Sequence, residues 1–263
     1  MSDALAPRPP LDAERLAALP GPWRVEVVDA TPSTNAIVVE RARAGEEAGL
    51  VVTTEHQTAG RGRLDRVWET PRGVALTFSV LLRPDVPAAQ WPLLPLLVGY
   101  AVQAALADRV PEVALKWPND VLVGDHKIAG ILVERIETPG GPAAVVGVGI
   151  NVNQTMHDLP VALATSLALE LGESFDRTDL LVHVLGALNG LLPLLEAPDA
   201  VRVAYLDACS TIGREVEVHL PGGDVRRGEA IGIDAHGALV VSSADGTLTV
   251  GAGDVIHVRA TAD

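Results

Sequence analysis

Between Val113 and Asn151 four β-forming runs follow one another, Val113 to Trp117, Val121 to Val123, Lys127 to Ile136 and Ala144 to Asn151. The turn signals Pro118-Asn119-Asp120, Gly124-Asp125 and Pro139-Gly140-Gly141 separate them. Connections this short join only neighbouring antiparallel strands, because a parallel return needs a crossover of a dozen residues or more. The block therefore predicts a largely antiparallel sheet. Further strands read at Arg24 to Val28, Leu50 to Thr54 and Val74 to Leu82.

Helices are expected to cover this sheet. One runs from about Thr34 to Ala44, with Ser33 as N-cap and Gly45 as its stop. Another covers Leu93 to Leu106. Leu180, Leu181, Val184, Leu185, Leu188, Leu191, Leu192 and Leu195 follow a 3.6-residue period, so an amphipathic helix spans most of that stretch. After Thr211 short strands are punctuated by Gly222-Gly223, His236-Gly237 and Asp245-Gly246, the texture of a small antiparallel barrel. The expected fold is mixed α/β (α+β). Its expected units are a flexible segment 1–22, whose one helical candidate is a turn or two from Asp12 to Leu19, a catalytic domain 23–210 and a terminal barrel 211–263.

Composition narrows the function. Twenty basic residues against thirty-four acidic give a formal charge of -14, the wrong sign for a surface that neutralises several phosphates of a duplex. Nucleic acid is therefore not an expected partner, although one nucleotide can still be held by a local basic pocket. The first ten residues lack the pattern of a signal peptide, and Trp91 to Leu106 is interrupted by Pro92, Pro95 and Gly99, which argues against a membrane span. Cys209 is the single cysteine, so a reducing, cytoplasmic setting fits and no disulfide is expected. His56, His126 and His157 have no metal-ligand spacing, and Cys209 is read as a small apolar filler.

Three segments carry chemistry. Lys127-Ile128-Ala129-Gly130-Ile131-Leu132-Val133-Glu134 is apolar on both faces, as a buried strand is, yet opens with a lysine, which needs an anion if drawn into the sheet. Lys116 and Asp120 flank the preceding turn, and two cations with a carboxylate suit a phosphate and its magnesium. Gly60-Arg61-Gly62-Arg63-Leu64-Asp65-Arg66 combines glycines that let backbone approach an anion with three forked donors. Gly147-Val148-Gly149-Ile150-Asn151 lacks the third glycine and following helix of a dinucleotide fingerprint, and reads as a buried strand whose glycines admit close neighbours.

In order along the chain, Ser33-Thr34-Asn35, Glu55 to Arg63, Lys116 to Asp120, Lys127 to Glu134 and Gly147 to Asn151 resemble the biotin protein ligase family, the group that includes the bifunctional biotin repressor. The resemblance covers roughly residues 23 to 259. It implies a class II synthetase-like catalytic domain, followed by an SH3-like barrel, in a monofunctional form without the N-terminal DNA-binding domain. The implied reaction joins biotin to AMP from ATP with Mg2+, then passes biotin to a lysine of a biotin carboxyl carrier domain.

The same resemblance assigns Ser33, Thr34, Asn35, Gln57, Gly60, Arg61, Arg63, Lys127 and Gly130 to biotin. It assigns Arg63, Arg66, Trp68, Lys116, Asn119, Lys127 and Asn151 to the nucleotide, with Asp120 to magnesium. Lys127 and Arg63 are the implied catalytic pair. The chain departs from the family where Asp65 follows Leu64, a position at which the loop commonly has a further glycine. Alternatives are a lipoate ligase on the same fold and a non-catalytic biotin sensor. A monomer or weak homodimer is expected.

Overall fold

The protein is described by a computed structural model covering residues 8–63, 66–68, 70–159, 163–220, 223–251 and 254–258. Its centre is a seven-stranded sheet built from β1 (Arg24–Val28), β2 (Leu50–Thr54), β5 (Ala75–Leu82), β6 (Val113–Lys116), β7 (Asp120–Val123), β8 (His126–Thr138) and β9 (Gly141–Asn151), in the order β1-β2-β5-β9-β8-β7-β6. Only β1 and β2 pair in parallel, and the helix α2 (Thr34–Arg43) makes the crossover that such a pair requires. Every other pairing is antiparallel. Strand and helix boundaries read from the sequence agree within a residue or two for most of these elements.

The two faces of the sheet have different fates, and the alternation of side chains along β9 sets them. Val146, Val148 and Ile150 join Phe78, Val80 and Ile131 in the main core, beneath the helices α3 (Leu94–Ala107) and α5 (Arg177–Leu191). On the opposite face Ala143 and Val145 pack with Val38 and Ala42 of α2. The same row then reaches Gly147 and Gly149, where there is no side chain to cover the sheet. That gap in the row is where the site lies.

Two apolar helical runs, Ala88–Ala107 and Arg177–Glu196, are long enough by composition to cross a membrane. The first is longer than the run read from sequence because a 3-10 segment, Ala88–Leu93, precedes α3. Here α3 and α5 pack on one another and the first also packs on the sheet.

The expectation of a flexible segment 1–22 is corrected for the described residues 8–22, which are docked. Leu11 and Leu16 are buried, the short helix α1 (Ala13–Ala17) is capped by Asp12, and the Leu11 amide donates to Glu55 at 2.5 Å. Glu55 in turn pairs with Arg177 at 2.7 Å, and the Pro9 carbonyl accepts from the same guanidinium at 3.0 Å. Arg177 is drawn inside because its fork finds a carboxylate and two carbonyls, the Ala75 carbonyl included. These partners are distant in sequence.

Beyond α4 (Leu167–Leu171) and α6 (Pro198–Ala208), five strands form a second antiparallel sheet: β10 (Glu215–His219), β11 (Val225–Ile233), β12 (Leu239–Ser243), β13 (Gly246–Val250) and β14 (Asp254–His257). It does not stand apart. Trp117 is buried with its indole N–H donating to the Gly237 carbonyl at 2.9 Å and its amide donating to Thr211 Oγ1 at 3.0 Å. One continuous apolar cluster includes residues on both sides of Ser210, so the barrel is packed against the first unit.

Candidate active site

A cavity of about 460 Å³ opens on the α2 face of the central sheet. Its floor is a row of directly paired residues running across the strands: Thr77 with Gly149, Gly149 with Gly130, Gly130 with Asp120, and Asp120 with Lys116. Paired residues share a face, so these five positions line one trough. Three strand spacings separate Thr77 from Asp120, about 14 Å. The glycines keep it open. A Cβ on Gly149 would fall inside van der Waals contact with the Trp68 indole, and one on Gly147 would overlap the Asn35 amide.

One end of the trough is charged. Lys127 Nζ lies 2.5 Å from Asp120 Oδ1 and 5.6 Å from the centroid of the Trp68 ring. In a regular strand Lys127 and Gly130 would point to opposite faces. The pairing shifts at Val121 and Leu122, leaving Ile128 as the extra residue of a β-bulge, so Lys127 is opposed to Leu122 and its ammonium reaches over Gly130. Ile128, released from the pairing, is fully buried in the main core. Backbone bonds from the Lys127 amide to the Leu163 carbonyl at 2.8 Å and from the Thr165 amide to the Lys127 carbonyl at 2.9 Å fix that bend.

The other end is a hydrogen-bonded polar chain. Thr34 Oγ1 lies 2.7 Å from Ser79 Oγ, Ser79 Oγ donates to Asn35 Oδ1 at 2.5 Å, and Asn35 Nδ2 donates to Glu134 Oε2 at 2.7 Å. Gln57 Oε1 accepts from the Thr34 amide at 3.0 Å. These groups are preorganised because Ser33, Thr34 and Asn35 open α2, with Ser33 Oγ accepting from the Ala36 amide as the N-cap. Buried polar chains of this kind hold one geometry when every member is satisfied.

Over the trough stands a hairpin of two short strands, β3 (Gly60–Arg61) and β4 (Val67–Trp68). Arg63 Nη1 donates to Asn119 Oδ1 at 3.2 Å and Arg61 Nη2 to Glu134 Oε1 at 3.2 Å, so the hairpin touches both walls. The departure noted at Leu64 and Asp65 lies outside the described residues. Arg61, Arg63, Arg66, Lys116 and Lys127 all line the cavity, against Asp120 among the described lining residues and Glu134 at its wall beside Arg61, so a chain of net charge -14 has a locally cationic pocket.

The structure thus brings Ser33, Thr34, Asn35, Gln57, Arg61, Arg63, Arg66, Trp68, Lys116, Asn119, Asp120, Lys127 and Gly130 to one cavity. Two expected site residues stand outside its lining. Asn151 is buried, donating through Nδ2 to the Thr165 carbonyl at 2.9 Å and accepting from Gln154 Nε2 at 2.9 Å, so both ends of its amide are spent inside the protein. Gly60 instead gives room to Gln57 and the Trp68 carbonyl, which a Cβ would overlap. Sequence reasoning missed Thr77, Ser79 and Val255: Thr77 and Val255 line the cavity, and Ser79 joins its polar chain. Cys209 is buried, and burial pushes its thiol up, in keeping with a filler role.

Among the described residues no group of three or more His, Cys, Asp or Glu is placed to hold a metal. Asp120 offers one carboxylate beside the trough.

The site is thus a cationic trough with a polar end and a hairpin across it. Residues 27–153 match the Biotin/lipoate A/B protein ligase family, and residues 211–258 match the Biotin protein ligase C terminal domain. A biotin--[acetyl-CoA-carboxylase] ligase of Mycobacterium tuberculosis is 39% identical, covering 98% of this chain and 100% of its own. A bifunctional ligase/repressor of Bacillus subtilis is 32% identical over 86% of this chain and 72% of its own. The solved biotin protein ligase of Aquifex aeolicus in complex with biotin and ATP superposes with a TM-score of 0.72 at 27% identity, covering 90% and 99% of the two chains. The chain belongs to the biotin protein ligase family.

Proposed function

We propose that this chain is an ATP-dependent biotin protein ligase acting in the cytoplasm on a biotin carboxyl carrier domain. The observation that carries the reading is the Lys127 and Asp120 pair at one end of a glycine-floored trough whose other end is a fixed polar chain. Biotin has this same polarity, a polar ring at one end and a carboxylate at the other.

In the first step a biotin carboxylate oxygen attacks the α-phosphorus of ATP, the bond to pyrophosphate breaks, and biotinyl-5'-AMP forms. Two anions must approach, and cations fixed where charge accumulates lower that barrier. Lys127, which reaches over Gly130, would supply that charge, with Lys116 and Arg63 beside it. Magnesium, bound with ATP, supplies neutralisation of the phosphates, and Asp120 is the residue that would hold it. Thr34, Asn35 and Gln57 would hold the ring end, and Arg61 and Arg66 the lid over the anhydride.

In the second step the ε-amine of the carrier lysine attacks the biotinyl carbonyl, an amide forms and AMP leaves. Water must be kept from the anhydride until then, and the β3–β4 hairpin, tied to Asn119 and Glu134, is placed to exclude it. The test is incubation with labelled biotin, ATP, Mg2+ and a biotin carboxyl carrier domain, with lipoate in parallel. Pyrophosphate release and labelled carrier with biotin alone are expected. Ligand binding without pyrophosphate would return the chain to a sensor role.

A further inference from the structure

Two buried polar atoms in the cavity wall have no hydrogen-bond partner among the described residues, Thr77 Oγ1 and Trp68 Nε1. Thr77 is 5% exposed. Its own carbonyl is already bonded, accepting from Thr53 Oγ1 at 2.9 Å, which leaves the hydroxyl as the unspent group. An unpaired buried hydroxyl destabilises a protein, so its position calls for an explanation.

Both residues flank Gly149. Thr77 is the direct pairing partner of Gly149, and the Trp68 indole lies against the face of that glycine. Thr77 also stands two residues before Ser79 on the same face of β5, beside the polar chain formed with Thr34 and Asn35. Its end of the trough is the one remote from Lys127.

We infer that Thr77 is a specificity-determining residue, its hydroxyl bonding the polar ring end of biotin. This rests on the biotin ligase reading and names a contact within it. The row from Thr77 to Asp120 then acts as a ruler. The ring is held at the hydroxyl and the carboxylate arrives at Lys127, the chain taking the strip of floor over Gly149 and Gly130 from which the Trp68 indole must then withdraw.

The test compares wild type with Thr77→Val, which keeps shape and removes the hydroxyl, and Thr77→Ser, which restores it. Biotin affinity by calorimetry, KM for biotin and for ATP, and thermal midpoints of the ligand-free proteins are measured. Thr77→Val should weaken biotin at least about tenfold and raise its KM, with KM for ATP unchanged and the ligand-free midpoint equal or higher. Thr77→Ser should recover most of the affinity. Unchanged biotin affinity in a folded Thr77→Val would overturn the assignment, as would a lowered midpoint together with failure of serine to rescue. Wild type that binds no biotin overturns the ligase reading itself, and this assignment with it.

Discussion

Lys127 shows how much a single side chain depends on backbone that its sequence position does not announce. The residue was legible as a cation opening an apolar strand, and Asp120 in the adjoining turn was read as a carboxylate for magnesium, not as the partner of Lys127. What was not legible is the bulge at Ile128, which turns the ammonium onto the glycine floor. Lys127→Ala should still fold, with a loss of about 1–3 kcal/mol, because Lys127 and Asp120 are only 29% and 19% exposed and the carboxylate loses this partner. Adenylate synthesis should fall at least about tenfold, since a charge-assisted contact is worth roughly 1.5–3 kcal/mol. Pyrophosphate release measured on the folded variant decides it, and a normal rate would remove Lys127 from the mechanism. Thr77 and Ser79 were invisible for a different reason. Threonine and serine are ordinary in strands, and only the pairing with Gly149 and Gly147 shows that they face a cavity.

At the scale of elements, hydrophobic period and turn chemistry were enough to place the strands of the sheet and the long helices, because their apolar positions repeat. The helix α6 went unassigned. Val201 and Tyr205 are its buried residues while Val203 is 55% exposed, a repeat too sparse to be read without the surface it covers. The role of β9 was half legible, its glycines being read as room for neighbours without saying which. Gly149→Ala should force the Trp68 indole off the floor, costing roughly 1–3 kcal/mol of stability and weakening biotin binding. Gly186→Ala, in α5 with open space at its Cβ, should have the opposite sign in stability by about 0.5–1 kcal/mol. Thermal midpoints of the two variants side by side would show whether close approach or glycine content matters.

The β3–β4 hairpin is a second element whose contacts make a kinetic prediction. Arg63 ties it to Asn119, and Asn119 is itself held by donating to the Ile131 carbonyl at 2.7 Å, so the lid closes on a rigid wall. Arg63→Gly should slow the first step, where Lys127 and Lys116 remain, less than it speeds loss of biotinyl-AMP, because affinity changes fall mostly on dissociation. Rapid dilution of the preformed complex, with bystander proteins probed for biotin, reads this directly. Unchanged release without stray labelling would mean that the hairpin is not the lid.

At the scale of the whole molecule, the sequence marked a change of texture near Ser210 but not that the barrel would be fastened to the site. That fastening comes from long-range contacts, and one of them titrates. His257 on β14 lies with Nε2 3.0 Å from Thr211 Oγ1 and Nδ1 3.4 Å from Arg214 Nη1, while Arg214 also pairs with Asp125 at 3.2 Å. Arginine can only donate, so Nδ1 must be an acceptor and the ring neutral, with Nε2–H donating to Thr211. Burial, with Lys116 and Arg214 nearby, lowers the His257 pKa to about 4 from 6.5, against the smaller pull of Asp125. The folded state therefore binds this proton less readily than the unfolded chain. The stabilisation is present above about pH 6.5 and is lost as pH falls towards 4. Protonation there would set a third cation between Lys116 and Arg214 and end the Arg214 bond, loosening the barrel beside the Trp117 anchor. Wild type should thus lose thermal stability between pH 6.5 and 4.5 faster than His257→Gln, whose amide can still donate to Thr211 without gaining charge. Midpoints for both proteins across that range, taken as a difference so that the carboxylates common to both cancel, give the result. Parallel curves would show that His257 does not govern how the barrel is held.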